Sequence, residues 1–205
     1  MEAIRAPRYI RYTMDLGIQY TNSIPLVNSA LHGYEDADRA GDLEDMKFTT
    51  SYLFLVSNEA VSWQARKQSI VALSTPEAEY IACSEECQEA VALRRIYKDL
   101  KNVQVRTEKA NYPSPPLMPA TMILVDNQSA ISLVQNPRFH RRTKHIELKY
   151  HYVREIYQSH LIDIDYVSTH LMTADLLTKP LTRELHWRHT KGMGMAGSMH
   201  ELGTC

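Results

Sequence analysis

Apolar positions along the chain follow two periods, and the shorter period predicts strands. Five segments are rich in aromatic and β-branched residues or alternate between apolar and polar positions, as strands do. These predicted strands cover residues 29–38, 49–57, 59–68, 120–126 and 161–169. The stretch VSNEA, residues 56–60, predicts a hairpin loop between the second and third strands.

Helical periodicity predicts the remaining elements. The longest predicted helix covers 74–100, because Ser74 and Glu77 form a capping-box pattern and apolar residues then recur at helical spacing. Shorter helices are predicted within 1–20, at 127–135, from about 144 to 159, and at 173–181. The polar and proline-rich stretch 101–119 predicts a loop, and the glycine-rich end of the chain predicts a loosely structured tail.

The order of these elements predicts the fold class. The first three strands can pair as an antiparallel meander, whereas the last two follow helices and add in parallel. We therefore predict an α/β fold with a mixed sheet flanked by helices. If the first and fourth strands are central neighbours, the side chains at their ends face each other.

Length and composition fit a soluble globular protein. The 205 residues suit one domain or one and a half, and hydrophobic residues make up 44% of the chain. No apolar run approaches the roughly 20 residues of a membrane span, and the start of the chain lacks the apolar core of a signal peptide. We expect an intracellular protein with no membrane partner. Cys83 and Cys87, one helical turn apart, are interpreted as small apolar helix residues.

A basic segment stands out because the chain as a whole has a formal net charge of −1. Glu147 is the one acid that opposes its cations, which are Arg138, Arg141, Arg142, Lys144 and Lys149. Two interpretations stay open. The segment is either a phosphate-binding surface for nucleic acid or a solvated approach to the next helix.

Four acidic residues fall where predicted elements begin or end. They are Asp36 at the end of the first strand, Glu79 one turn into the long helix, Asp126 at the end of the fourth strand, and Asp175 at the start of the last helix. Clustered carboxylates raise each other's pKa, and such a cluster is tolerable when divalent cations bind it. Oxygen ligands without Cys or His select Mg²⁺ or Mn²⁺, and two such ions can hydrolyse a phosphodiester.

Each of the four acids also has an ordinary structural alternative. Asp36 is then a turn residue, and Asp126 is the N-cap of the next helix. Glu79 is a solvent-facing helix residue, and Asp175 interacts with the helix dipole in a first turn.

Motifs along the chain help to decide whether the four acids bind metal or have ordinary structural roles. They are GYEDAD at 33–38, VALS-x-x-EAEY at 71–80, DN-x-SAI at 126–131, NP-x-FH-x-RTKHI at 136–146 and AD-x-x-TK at 174–179. In this order they resemble the ribonuclease H domain of copia-type LTR retrotransposon polyproteins. The resemblance implies a ribonuclease H-like fold with a five-stranded mixed sheet. It also implies metal-dependent cleavage of the RNA strand of RNA–DNA hybrids during reverse transcription.

The resemblance assigns roles to individual residues. Its catalytic and metal-binding residues are Asp36, Glu79, Asp126 and Asp175, with two Mg²⁺ or Mn²⁺ ions. Asp36 is expected to bridge both ions, Glu79 to orient groups near the RNA 2′-hydroxyl, and Asp175 to complete the second ion's shell. Asn127 is expected to begin the helix behind Asp126. Residues expected to contact the substrate are Ser74, Thr75, Asn127, Arg138, Arg141, Arg142 and Lys144.

The resemblance also predicts the organisation and setting of the chain. Residues 1–29 are expected to be a remnant of a polymerase connection region, 30–185 the ribonuclease H domain, and 186–205 the loose tail. The expected partners are an RNA–DNA hybrid and a reverse transcriptase polymerase domain. The expected location is the cytoplasm, within a virus-like particle, or the nucleus.

Two other functions compete with this one. The first is a catalytically inactive or host-coopted nucleic-acid-binding module that retains the fold. It is favoured by Arg39 and Met172, which stand where the family usually has Trp and Gln. The second is a DNA-directed relative such as an integrase, which uses a D-D-E order. The early Glu79 and the final Asp175 argue against it.

Overall fold

The predicted strands and helices occur in the predicted order, except that the helix predicted at 173–181 is a 3₁₀ segment at Thr173–Leu177. A helix at Arg183–Gly192 and two short paired strands at Gly17–Ile18 and Met195–Ala196 are not predicted from the sequence. A computed structural model describes residues 5–21, 31–38, 47–69, 71–72, 74–107, 118–136 and 147–197. The strands are β1 (Gly17–Ile18), β2 (Leu31–Asp38), β3 (Thr49–Val56), β4 (Glu59–Lys67), β5 (Thr121–Val125), β6 (Ile162–Tyr166) and β7 (Met195–Ala196). The α-helices are α1 (Arg5–Tyr12), α2 (Thr75–Thr107), α3 (Gln128–Gln135), α4 (Glu147–Gln158) and α5 (Arg183–Gly192). Two 3₁₀ segments, Thr169–Leu171 and Thr173–Leu177, lie between β6 and α5.

The main sheet confirms the predicted mixed topology. Its five strands lie in the order β4-β3-β2-β5-β6. β2, β3 and β4 pair antiparallel, and β5 and β6 add in parallel beside β2. The predicted first and fourth strands, β2 and β5, are therefore central neighbours. The hairpin between β3 and β4 turns at Ser57 and Asn58, whose φ angles of 54° and 77° are those that a tight two-residue turn requires.

Two apolar clusters cover the two faces of this sheet. The larger cluster packs α2, α3 and α4 against one face and includes Phe54, Tyr80 and Ile123, with Cys83 and Cys87 buried in it as predicted. The smaller cluster, around Leu53 and Leu55, meets the second 3₁₀ segment and residues near α5 on the other face. Among the described helices, none is both long and apolar enough to cross a membrane.

Helix α2 is longer than the sequence predicts. It continues from Lys101 to Thr107, so the prediction that a loop begins at 101 is wrong for these seven residues. The stretch KNVQVRT contains neither proline nor glycine, and backbone hydrogen bonds can therefore propagate through it although its apolar face is weak. Residues 108–117 of the predicted loop lie outside the described part of the chain.

The prediction of a loose tail from 186 is also wrong for the residues that the structure describes. Helix α5 runs through this region, with the Thr182 side chain accepting a hydrogen bond from the Leu185 backbone. β7 then pairs antiparallel with β1. Gly194, at φ 80°, makes the turn into β7 and lies against Glu59, so glycine here permits a tight turn rather than disorder.

A close packing contact between β2 and α2 depends on Gly33. A methyl group at this position would overlap Glu86 Oε1 and would come within 2.7 Å of the Phe54 ring. Both neighbours are fully buried, so neither has room to move aside. Gly33 therefore sets how closely α2 approaches the central strand.

We expect Gly33→Ala to lower the free energy of unfolding by about 1–3 kcal/mol, the usual cost of overpacking a core. Chemical denaturation would measure the loss. Gly17→Ala is the matched control, because a methyl group at this strand glycine meets no heavy atom of the described residues within 4 Å. Equal stability of the two variants would contradict the packing argument.

Candidate active site

The ends of the two central strands bring two carboxylates together. β2 and β5 pair in parallel with Glu35 opposite Val125, so Asp36 lies level with Asp126, the residue that follows β5. Asp36 is 1% exposed, whereas Asp126 is partly exposed to solvent. The pair thus has one buried member and one member that faces the open edge of the sheet.

Helix α2 contributes the third carboxylate. It packs against β2 and places Glu79, 4% exposed, over the strand ends. Asp36, Glu79 and Asp126 each offer an oxygen, and these three atoms lie within 4.8 Å of one another. Glu79 is therefore not a solvent-facing helix residue, and Asp36 lies within a strand rather than in a turn.

The fourth acid reaches this group through a lysine. Asp175 is buried in the second 3₁₀ segment, and Lys179 Nζ lies 2.8 Å from its Oδ1. The same ammonium lies 3.0 Å from Asp36 Oδ1, and the Thr178 hydroxyl donates to Asp36 Oδ2. Asp175 is thus linked to Asp36 by a bridging cation of the chain itself.

Adjacent polar residues orient Asp126 and start the next helix. The Thr169 hydroxyl donates to Asp126 Oδ2 at 3.0 Å. Asn127 is the N-cap of α3, since its side chain accepts hydrogen bonds from the Ser129 and Ala130 backbone. The alternative that Asp126 is the cap is therefore wrong. Its carboxylate points toward the site instead.

Burial keeps the carboxyl of Glu79 protonated near neutral pH. Desolvation, with a contribution from the charges of Asp36 and Asp126, raises the pKa of Glu79 to about 8. Behind it, Glu35 is fully buried, and desolvation together with the nearby Glu79 raises the pKa of Glu35 well above its usual range. The described site therefore holds fewer negative charges than its number of acids suggests.

On the other side of the site, Lys179 counteracts the rise in pKa that burial causes at Asp36 and Asp175. Desolvation raises the pKa of Asp175 to about 6 despite the hydrogen bond from Lys179. Desolvation also raises the pKa of Asp36, against hydrogen bonds from Thr178 and Lys179. Burial lowers the pKa of Lys179, but the two carboxylates outweigh this effect and raise it, so the lysine is charged.

The three-carboxylate group fits a hard divalent cation. Its donors are carboxylate oxygens, the ligands that Mg²⁺ and Mn²⁺ prefer. These oxygens come from three separate elements and lie within 4.8 Å of one another, so one cation placed among them could contact all three residues. The group whose ligand oxygens lie within 4.8 Å of one another consists of Asp36, Glu79 and Asp126, and Asp175 does not belong to it.

The remaining predicted site residues are less closely placed. Ser74 and Thr75 are exposed at the start of α2, one turn before Glu79. Arg138, Arg141, Arg142 and Lys144 lie outside the described residues. Lys149, from the same basic segment, lies 3.7 Å from Glu85 on α2. Their substrate-binding roles stay predictions.

The sequence does not predict the contacts of three neighbours of the carboxylates, which are Thr169, Thr178 and Lys179. The last two belong to the motif AD-x-x-TK, and the i,i+4 spacing of Asp175 and Lys179 was the available signal. That spacing predicts an ion pair with Asp175. It does not predict the second partner, Asp36, which lies 143 residues earlier.

We expect Glu79→Gln to stabilise the ion-free protein at pH 8 by several kcal/mol, up to about 5, because the pKa of this carboxyl differs by nearly four between the folded and the unfolded chain and each unit corresponds to about 1.4 kcal/mol. An unfolded glutamate titrates near pH 4.3, whereas folded Glu79 titrates near 8. The wild type is therefore most stable, with respect to this group, below the unfolded pKa, and it loses stability as the pH rises toward 8. Glutamine removes that loss.

Urea unfolding in EDTA from pH 4.5 to 8.5 would measure this difference. The gap between the variant and the wild type should be near zero at the acidic end and should reach a plateau above about pH 8. Glu155→Gln, at an exposed position of α4, is the matched control and should not change the pH dependence. A gap that stays constant with pH would refute the assigned role of desolvation.

Comparison with known proteins identifies relatives of this chain, although no protein-family model matches it. It is 39% identical over 176 residues to the retrovirus-related Pol polyprotein from transposon TNT 1-94 of Nicotiana tabacum, which covers 86% of this chain and 12% of the polyprotein. It is 35% identical over 191 residues to that from transposon RE2 of Arabidopsis thaliana, covering 93% and 12%. The chain thus spans 12% of the length of these curated relatives. A similar solved structure is the N-terminal RNase H domain of a Mycobacterium tuberculosis protein, with a TM-score of 0.49, 11% identity, and coverage of 78% of this chain and 96% of that one.

The resemblance inferred from the motifs is confirmed by these polyproteins, which match most of this chain at 35–39% identity. The sheet agrees with it, because strand order, strand direction and flanking helices are those expected. The chain is therefore a homologue of the copia-type, retrovirus-related Pol polyproteins of plant transposons, and its five-stranded mixed sheet with flanking helices forms a ribonuclease H-like fold.

Proposed function

We propose that this chain is a metal-dependent ribonuclease H that cleaves the RNA strand of RNA–DNA hybrids. The observation that carries the proposal is the convergence of Asp36, Glu79 and Asp126 at the open end of the sheet. Three carboxylates brought together from two strands and a helix are costly to the fold unless they serve a cation.

The residues divide the work of holding the ions. Asp36, Glu79 and Asp126 would hold one Mg²⁺ or Mn²⁺, and Asp36 with Asp175 would hold a second. Such ions, when bound, lower the pKa of a water nucleophile and stabilise the charge of the leaving oxygen. The Thr169 hydroxyl fixes the carboxylate of Asp126 through its hydrogen bond, so this ligand is oriented before any ion arrives.

The substrate would lie along the open edge at which Asp126 is exposed. Ser74 and Thr75 are exposed near this edge at the start of α2 and are proposed to contact the RNA strand, with Asn127 beside Asp126. The basic residues Arg138, Arg141, Arg142 and Lys144 are proposed to bind phosphates of the hybrid. Recognition would be salt-dependent and largely independent of sequence, because phosphate contacts dominate such binding.

The Pol relatives suggest the setting of this activity. Within a retrotransposon polyprotein, hydrolysis of the RNA strand accompanies reverse transcription, so a polymerase domain is the proposed protein partner. The support for this setting is the similarity to the TNT 1-94 and RE2 polyproteins.

We expect Asp126→Asn to reduce cleavage of the RNA strand by at least about 100-fold, because a metal ligand supplies several kcal/mol of transition-state stabilisation and each 1.4 kcal/mol is tenfold. An end-labelled RNA–DNA hybrid with Mg²⁺ or Mn²⁺ would measure it, beside double-stranded DNA and double-stranded RNA. Asp163→Asn is the matched control, since it removes an exposed acid on β6 and should cleave normally.

The outcomes separate the competing functions. Cleavage by the wild type and the control but not by Asp126→Asn would establish the enzyme. Normal cleavage by Asp126→Asn would refute the assigned ligand. A folded wild type that binds hybrid without cleaving it would instead favour the non-catalytic nucleic-acid-binding module.

Neutralising the basic segment is expected to weaken hybrid binding. Replacing Arg141, Arg142 and Lys144 with Gln should lower the slope of log affinity against log salt by up to about 2–3, as each phosphate contact contributes roughly 0.7–0.9. Fluorescence anisotropy at several salt concentrations would measure the slope. If hybrid binding and its salt dependence do not change, the segment is instead a solvated approach to the next helix.

A further inference from the structure

Lys179 places a positive charge between two of the proposed metal ligands. Its ammonium lies 2.8 Å from Asp175 Oδ1 and 3.0 Å from Asp36 Oδ1, and it forms ion pairs with both. The Lys179 backbone N–H also donates to the Asp175 carbonyl at 3.0 Å, which holds the two residues on one turn. The lysine is therefore built into the site rather than lying beside it.

The ammonium and a divalent ion cannot share these two carboxylates. An ion that joined Asp36 to Asp175 would need their oxygens at about 2.0–2.2 Å, while the ammonium now occupies the space between the same Oδ1 atoms. The like charges of lysine and ion would also repel each other across a desolvated site. Binding of an ion here requires the ammonium to leave.

The other carboxylates of the site are not blocked in this way. The group with ligand oxygens within 4.8 Å joins Asp36 to Glu79 and Asp126, and Lys179 bonds to neither of the latter two in the contacts of the described chain. The site therefore has two unequal halves. Glu79 and Asp126 make up the half that Lys179 does not bond, Asp36 is shared, and Asp175 with Asp36 makes up the half in which Lys179 bonds both carboxylates.

We propose that Lys179 is a displaceable resident cation that occupies the second ion position, so that the two divalent ions bind in sequence and with unequal affinity. This inference rests on the proposed metal-dependent function. The first ion binds Asp36, Glu79 and Asp126. The second binds Asp36 and Asp175 after the lysine has moved away, and the lysine side chain, 28% exposed, has a route to solvent.

The proposal predicts what removal of the lysine does to ion binding. In Lys179→Met, the second Mn²⁺ should bind at least tenfold more tightly than the second Mn²⁺ of the wild type, because it no longer competes with an ammonium. Lys179→Arg keeps the charge and should retain the weak second site. Lys191→Met removes an exposed lysine of α5 and is the matched control, expected to behave as the wild type.

Mn²⁺ titration of the full chain, followed by electron paramagnetic resonance of the free ion, would count the ions and give their affinities without substrate. Thermal unfolding with and without Mn²⁺ provides a second readout that tolerates a less stable variant. Lys179→Met should melt at a lower temperature than the wild type in EDTA, because Asp36 and Asp175 lose their shared cation. Addition of Mn²⁺ should raise the melting temperature of Lys179→Met by more than it raises that of the wild type.

The results distinguish failure of this inference from failure of the proposed function. Equal affinity for the second ion in the wild type and Lys179→Met would overturn the inference alone, as would a single ion bound by both proteins. Tight second-ion binding in Lys179→Arg would also overturn it, since charge would not then be the cause. If neither protein binds Mn²⁺, both the inference and the metal-dependent function are refuted.

Discussion

The parallel pairing of β2 with β5 is the constraint on which the site depends. Its register sets Asp36 level with Asp126, and a slip of one residue would turn one of these side chains to the opposite face. The other contributors are positioned relative to this pair. Helix α2 packs on β2 and brings Glu79, while Ser51 on β3 donates to the Ala174 carbonyl at 3.2 Å and so anchors the segment that carries Asp175.

The packing of α2 on β2 buries several carboxyl groups next to the site. Glu86, seven residues after Glu79 on α2, is fully buried beneath Gly33, and its carboxyl oxygens have no hydrogen-bond partner among the described residues. Desolvation raises the pKa of Glu86 well above its usual range, as it does for Glu35. Buried carboxyls remain in the fold by staying neutral, and the stability lost in this way is concentrated next to the site, as is usual for functional regions.

The strands and their order could be predicted from sequence because two-residue periodicity and short or helical connections are local signals. Other features could not, for reasons visible in particular residues. Asp126 and Asn127 are both good helix caps, and only the point at which β5 ends decides that Asn127 is the cap. The weakly amphipathic end of α2 gave no signal of where the helix stops. The second partner of Lys179 lies far along the chain, so its bridging position depends on the tertiary fold.

Lys179 reconciles two demands that the carboxylates place on the chain. Folding must bring the acids together whether or not ions are present, and a tethered ammonium is always at high effective concentration, unlike a free ion. Catalysis by the proposed mechanism needs a charge that sits closer to the oxygens than an ammonium can. Under our proposal, a divalent ion would replace the lysine on the same carboxylates, because it carries twice the charge at a shorter distance. A partly exposed lysine bonded to both carboxylates therefore supports the ion-free fold and, under our proposal, gives way to metal.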